Sequence, residues 1–214
     1  AKHILVATGG RPVRPDMPNA HLGIVSDDIF QLENLPKDIL IIGGGGLVGQ
    51  TLAQSLADTP LTSDQSVTLL DIGFAENGAP AAQRMRGNIT DQTVVDSAIA
   101  ARPDVIFHLA AIVSGEAEQD FDLGWNTNML AFWHFLRAIQ KAHLDSGGQY
   151  RPRVVFTSSI AVFGGPYPDQ IDDRFPLAPL TSYGAQKASC ELMLSDFSRK
   201  GYLDGLSIRL PTIC

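Results

Sequence analysis

The chain has 214 residues, 44% hydrophobic and 18% charged, with a formal net charge of −7. That balance suits a packed globular core and excludes charge-driven disorder. The acidic balance and the lack of clustered Lys and Arg argue against a nucleic-acid surface. The longest apolar stretches, such as 105–113, run about ten residues, against roughly 20 for a membrane helix. Two cysteines, Cys190 and Cys214, lie far apart with no metal-ligand spacing. The expectation is free thiols in a reducing, cytoplasmic compartment and no metal site.

The first 37 residues fit no regular alternation. Residues 4–7 read as a short strand, 11–18 as an extended proline-rich connection, and 22–35 as a short strand with a helical turn before Pro36. The start at Ala1 rather than Met sets the expectation of a fragment or a processed chain. From about residue 38, apolar strand-like runs alternate with helical patterns. Strands are predicted at 38–42, 67–71, 84–87, 104–109, 153–157 and 206–210. Helices are predicted after Gly46, over 91–101, from about 120 to 143, and over 182–200. That alternation predicts an α/β fold, a doubly wound parallel sheet in three αβα layers with strand order 3-2-1-4-5-6. The domain reading is an appendage of uncertain order at 1–37 and a dinucleotide-binding Rossmann domain at 38–214. On the long fourth helix, Leu130, Phe132, Trp133, Leu136 and Ile139 recur at core spacing, so Trp133 is expected inside rather than as a ligand platform.

The first strand runs into Gly43-Gly44-Gly45-Gly46-Leu47-Val48-Gly49, and a helix follows. Unpaired N–H groups and the positive dipole end make such a helix start a phosphate site, and glycine lets the ligand approach. Four glycines in a row allow two registers. A GxGxxG register counted from Gly43 fails at Val48, whereas GxxGxxG uses Gly43, Gly46 and Gly49. The second strand ends at Asp71, which can accept both ribose hydroxyls and repels a 2′-phosphate, favouring NAD over NADP. The alternatives are an empty tight turn and a strand-end cap.

Tyr183 and Lys187 lie four apart, on one face of a helix. A free phenol has a pKa near 10, and a neighbouring ammonium and a nicotinamide cation would lower it. Tyr183 is then a base for an alcohol proton. Ser159 is placed to hold the substrate oxygen, with Ser158 as the alternative hydroxyl. His108 reads as a packed strand-end residue rather than a catalyst.

These residues together resemble the extended short-chain dehydrogenase/reductases, the NAD-dependent epimerase/dehydratase family, over about residues 38–214. The resemblance also rests on His108-Leu109-Ala110-Ala111, Asn128, the run Thr157–Gly164, and Arg209-Leu210-Pro211. It implies catalytic Ser159, Tyr183 and Lys187. It implies NAD held by Gly43, Gly46, Leu47, Gly49, Asp71, Asn88, Ile89, Leu109, Ala110, Ala111, Asn128, Tyr183, Lys187 and Pro211. The substrate would meet Ser114 and Ser159, and a homodimer would form through the fourth and fifth helices. Phe121–Trp125, Ala161–Gly165 and Ser198–Gly201 resemble a subgroup that oxidises C2 of a four-carbon sugar acid. Position 88 departs from the family, with Asn88 where an acid is frequent. The family continues past residue 214 into a substrate-binding part, so that part is expected to be largely missing, leaving apolar surface exposed.

The N-terminus resembles a different family. Ile4–Pro12 and Gly23–Phe30 are similar to flavin disulfide reductases, at the segment that leads from the flavin domain to the NAD domain. The CxxxxC pair of those enzymes is absent, so flavin binding is not predicted. The chain therefore reads as a splice of two dinucleotide-binding proteins near 38–46. Three functions compete: an NAD-dependent dehydrogenase of a small sugar acid, a catalytically incomplete NAD-binding chimera or fragment, and a flavin-linked relic.

Overall fold

A computed structural model of the chain describes residues 35–75, 82–172 and 175–211. The expectations for residues 1–34, and for Cys214, lie outside the described residues. The described strands are β1 (Asp38–Ile42), β2 (Ser66–Asp71), β3 (Gln83–Arg86), β4 (Val105–His108), β5 (Arg153–Ser159) and β6 (Asp204–Leu210). All neighbours pair in parallel, in the order β3-β2-β1-β4-β5-β6. This is the doubly wound order that the alternation of strands and helices predicts.

The helices are α1 (Leu47–Asp58), α2 (Gln92–Ala100), α3 (Ser114–Gln119), α4 (Phe121–Gly124), α5 (Ala131–Asp145) and α6 (Ser182–Arg199). A π-helical turn, Trp125–Leu130, joins α4 to α5. Side-chain caps start three of these helices. Asp91 Oδ1 accepts the Thr93 N–H at 2.9 Å, Asp120 Oδ1 accepts Leu123 N–H at 2.9 Å, and Thr181 Oγ1 accepts Gly184 N–H at 3.0 Å. Each satisfies a donor that a helix start leaves over.

Alternation along the strands sorts the core onto two faces. Leu40, Ile42, Leu70, Ile106, Val154 and Phe156 face α2, α5 and α6, while Ile39, Ile41, Val67 and Leu69 face α1. Burial on both faces explains why β1 and β4 read as unbroken apolar runs. On α5, Phe132, Phe135, Leu136 and Ile139 are fully buried, at the three- and four-residue spacing of one helix face.

Three expectations need correction. The predicted helix at 120–143 is broken: Asp120 caps α4, and the π-helical turn interrupts it before α5. The separate helix α3 went unpredicted, because Ser-Gly-Glu-Ala-Glu-Gln carries one buried residue, Ala117, and no apolar period. Trp133 is not core: it is 38% exposed, meeting Phe197 edge-on and lying under the Arg137 guanidinium. Leu130 is likewise 40% exposed. Trp133 directly follows the buried Phe132, about 100° farther round α5, which puts it at the edge of the buried stripe, and Leu130 lies in the π-helical turn before α5.

On the α1 face of the sheet, β6 stands open, with Leu206 53% and Ile208 41% exposed. No described helix is long and apolar enough to cross a membrane.

Urea unfolding should separate the two aromatic residues of α5. Phe132→Ala should lower the unfolding free energy by about 3–5 kcal/mol, the usual cost of a buried aromatic truncation. Trp133→Ala should cost clearly less, because much of its ring already faces water.

Candidate active site

At the carboxyl ends of the strands two cavities lie side by side, sharing Leu109 and Ala111 as a common wall. The first, of about 440 Å³, is lined by Gly43, Gly46, Asp71, Asn88, Ile89 and the stretch Leu109–Ile112. The second, of about 630 Å³, is lined by Val48, Ser114, Ser159, Tyr167, Tyr183, Lys187, Leu210 and Pro211, among others.

The glycine turn forms the floor of the first cavity. Gly43 has φ +86°, and a Cβ there would sit 2.6 Å from the Ala110 nitrogen. At Gly49 a Cβ would sit 2.3 Å from the Gly43 carbonyl oxygen. The protein's own packing therefore demands glycine at both positions. Gly46 differs, since a Cβ there would meet only the Gly43 oxygen, at an ordinary 3.5 Å. Gly46 is also the N-cap of α1 and has no side-chain cap. Its missing side chain leaves open space at a helix start, which fits a pyrophosphate. Asp71 Oδ2 accepts the Gly45 N–H at 2.8 Å, and Oδ1 accepts the Gly73 N–H at 3.3 Å. The carboxylate thus braces the turn and lines the cavity. Asn88 is exposed at the rim, its Oδ1 accepting Thr90 N–H at 3.0 Å, and Ile89 is buried beneath it. Leu47 is 73% exposed and lines neither cavity; its neighbour Val48 lines the second.

Ser159, Tyr183 and Lys187 converge in the second cavity. β5 runs two residues longer than its sequence pattern suggests, so Ser159 is its last residue. The Ser159 hydroxyl accepts Ala161 N–H at 3.1 Å and shares a hydrogen bond with the Tyr183 phenol. Ser158, the alternative, is buried, and its hydroxyl has no partner among the described residues. Lys187 is 2% exposed. Its Nζ donates to the Thr157 carbonyl at 2.8 Å and lies 4.7 Å from the Phe156 ring centre. Burial pulls its pKa down to about 8. In the chain by itself, burial raises the Tyr183 phenol and the Ser159 hydroxyl opposes it. The Lys187 ammonium, bonded to the Thr157 carbonyl, also lies 5.7 Å from the centre of the Tyr183 ring.

His108 is buried against Phe132, Phe135 and Phe156. Burial, then the neighbouring Lys187 charge, push its pKa down to about 3, so it is a neutral packing residue. Asn128 lines neither cavity. It lies buried on the π-helical turn and holds Ile112 from behind. Ser114 and Pro211 stand on the wall of the second cavity. The sequence reading did not single out Val48, Ile160 or Tyr167 as lining residues. Tyr167 is 60% exposed, with its hydroxyl donating to the Phe163 carbonyl at 3.2 Å, and no periodicity marks a loop residue of that kind. Among the described residues, no cluster of three His, Cys, Asp or Glu could hold a metal ion.

Residues 39–214 match the model of the NAD dependent epimerase/dehydratase family. The D-erythronate dehydrogenase of Haemophilus influenzae is 42% identical over 178 residues, which is 82% of this chain and 55% of that enzyme. A crystal structure described as the nucleoside-diphosphate-sugar epimerase of Agrobacterium tumefaciens matches with a TM-score of 0.77 and 48% identity, over 85% of this chain and 55% of that one. A glutathione reductase of Yarrowia lipolytica is 51% identical over 53 residues, 25% of this chain and 11% of that enzyme. The chain spans about half the length of the curated dehydrogenases it matches.

Two measurements probe this geometry. In a fluorescence titration, Gly46→Ala should weaken NADH binding about tenfold or more, a loss of about 1.4 kcal/mol, while its thermal midpoint stays near that of the parent. Gly49→Ala should instead lower stability by about 1–3 kcal/mol, because its Cβ meets fixed backbone. The second measurement concerns Lys187. Its folded pKa, about 8, lies below the ordinary 10.5. Stability linked to it is therefore fully present above pH 10.5 and is lost as pH falls through 8. Comparing the parent with Lys187→Met by chemical unfolding, the balance should shift toward the parent by roughly 3 kcal/mol as pH rises across that window.

Proposed function

Because the chain belongs to the NAD dependent epimerase/dehydratase family, we propose that it binds NAD and oxidises a secondary alcohol of a small sugar acid, D-erythronate or a close analogue. The observation that carries this reading is the convergence of Ser159, Tyr183 and Lys187 in a cavity that shares a wall with the glycine–Asp71 cavity. The 42% identity to a D-erythronate dehydrogenase supports the substrate class.

Gly43 and Gly46 would hold the pyrophosphate, Asp71 the adenosine ribose, and the Leu109–Ala111 wall the chain between the two ends. When bound, NAD would supply a hydride acceptor and a positive ring charge. Ser159 Oγ holds the substrate hydroxyl, and Tyr183 Oη, through its bond to Ser159, takes the hydroxyl proton. Lys187 fixes this corner from below through Thr157. In the folded chain alone, burial keeps the Tyr183 phenol protonated, so the phenol becomes a base only when a positive charge lies beside it.

The short glutathione reductase match supports a second reading of the chain's origin: a fusion in which the part ahead of about residue 38 came from a flavin disulfide reductase. A purified protein with flavin absorbance would favour a retained reductase role over this one.

The test is NADH formation from D-erythronate and NAD by the full chain. Tyr183→Phe should reduce turnover by about 10²–10⁴-fold, the usual share of a general base, with NADH affinity nearly unchanged. Turnover that survives this substitution intact would remove Tyr183 from the chemistry.

A further inference from the structure

One buried pair of amides ties the helix that carries Tyr183 and Lys187 to the wall of the cofactor cavity. Asn128 meets the connection after β4 as a neighbouring strand would. Its Oδ1 accepts the Ile112 N–H at 2.7 Å, and its Nδ2 donates to the Ile112 carbonyl at 3.1 Å. These two bonds fix which end of the amide is which. The second Nδ2 hydrogen then goes to Oε1 of Gln186, 2.7 Å away. Gln186 is fully buried on α6, next to Lys187. A second tie joins the same elements, since Cys190 Sγ donates to the Asn128 carbonyl at 3.2 Å.

The two ends of the Gln186 amide are not equivalent. Its Nε2 has no partner among the described residues and faces Gly124, where an added Cβ would lie 2.8 Å from it. A buried donor left without a partner is costly. A thioether side chain of similar length would fill the space without that cost. Packing therefore does not account for a glutamine here, and the acceptor end does.

We propose that Gln186 is a positioning residue. By accepting the remaining N–H of Asn128, it locks Ile112, part of the cofactor-cavity wall, in register with Tyr183 and Lys187 on α6. Its catalytic meaning rests on the dehydrogenase reading above; the lock itself does not.

The test uses amide hydrogen exchange at Ile112 and an NADH titration on the full chain, with thermal midpoints as the control. In the parent, the Ile112 N–H is protected although it lies in a connection. Gln186→Met removes the acceptor and should speed Ile112 exchange and weaken NADH binding by about tenfold each. Gln186→Glu keeps an acceptor, and buried there it stays protonated; both readouts should return to within about twofold of the parent. A merely structural glutamine would move the midpoint in both variants without this split. The proposal is overturned if Gln186→Met matches the parent, or if Gln186→Glu behaves like Gln186→Met. Should Gln186→Met not fold, the parent decides: an unprotected Ile112 N–H overturns the lock, and a protected one together with the Gln186→Glu result supports it. Neither readout needs turnover, so failure to oxidise D-erythronate would sink the dehydrogenase reading alone.

Discussion

Two carbonyl groups at the strand ends organise everything above the sheet. The Ile42 carbonyl accepts both Leu109 N–H at 2.8 Å and Ala110 N–H at 3.1 Å. The Leu70 carbonyl accepts both Gly43 N–H at 2.8 Å and Gly44 N–H at 3.2 Å. β1 thus gives its last acceptor, and β2 its last but one, to the turn leaving its neighbour. The glycine turn and the wall after β4 are drawn so close that no side chain fits between Gly43 and Ala110. Both cavities are cut into the edges of this contact. Its cost is backbone freedom, which is why glycine and alanine crowd the region.

A second constraint sits one layer down. Lys187, His108 and Ser158 put polar atoms among Phe132, Phe135 and Phe156. Lys187 satisfies part of its need through the Thr157 carbonyl, while the His108 Nδ1 and Ser158 hydroxyl have no partner among the described residues. A depressed lysine pKa is the direct result. The fold therefore gives up stability in the neutral range to keep an ammonium beside Tyr183, as buried charges at functional sites commonly do.

Much of this was legible in the sequence, for identifiable reasons. Parallel strands covered on both faces leave unbroken apolar runs, so β1, β2 and β4 stood out. The glycine turn, Asp71 and the Tyr183–Lys187 spacing are local signals that local chemistry explains. What stayed hidden is what depends on three-dimensional neighbours. Trp133 directly follows the buried Phe132, about 100° farther round the helix, and falls at the edge of the buried stripe, while Leu130 lies in the π-helical turn. The phenol of Tyr183 is raised in the chain by itself, because burial outweighs the Ser159 hydroxyl. Gln186 carries no sequence signal, since its importance comes from an asparagine 58 positions earlier in the chain. Helix α3 was missed because too little of it is buried to leave a pattern.

The open edge of β6 bears on how the protein behaves in the test tube. Among the described residues the parallel sheet ends on β6, whose Leu206 and Ile208 are half in water, so that edge presents both an unfilled ladder and an apolar rail. The centre of the sheet, fully enclosed, melts last. Between the two lies an order of failure: on concentration or gentle warming, molecules would stick edge to edge while β1 and β4 are still intact. The negative net charge of −7 is the main brake on that encounter. Added salt would release the brake, and a bound dinucleotide at the far ends of the strands would do nothing to restore it.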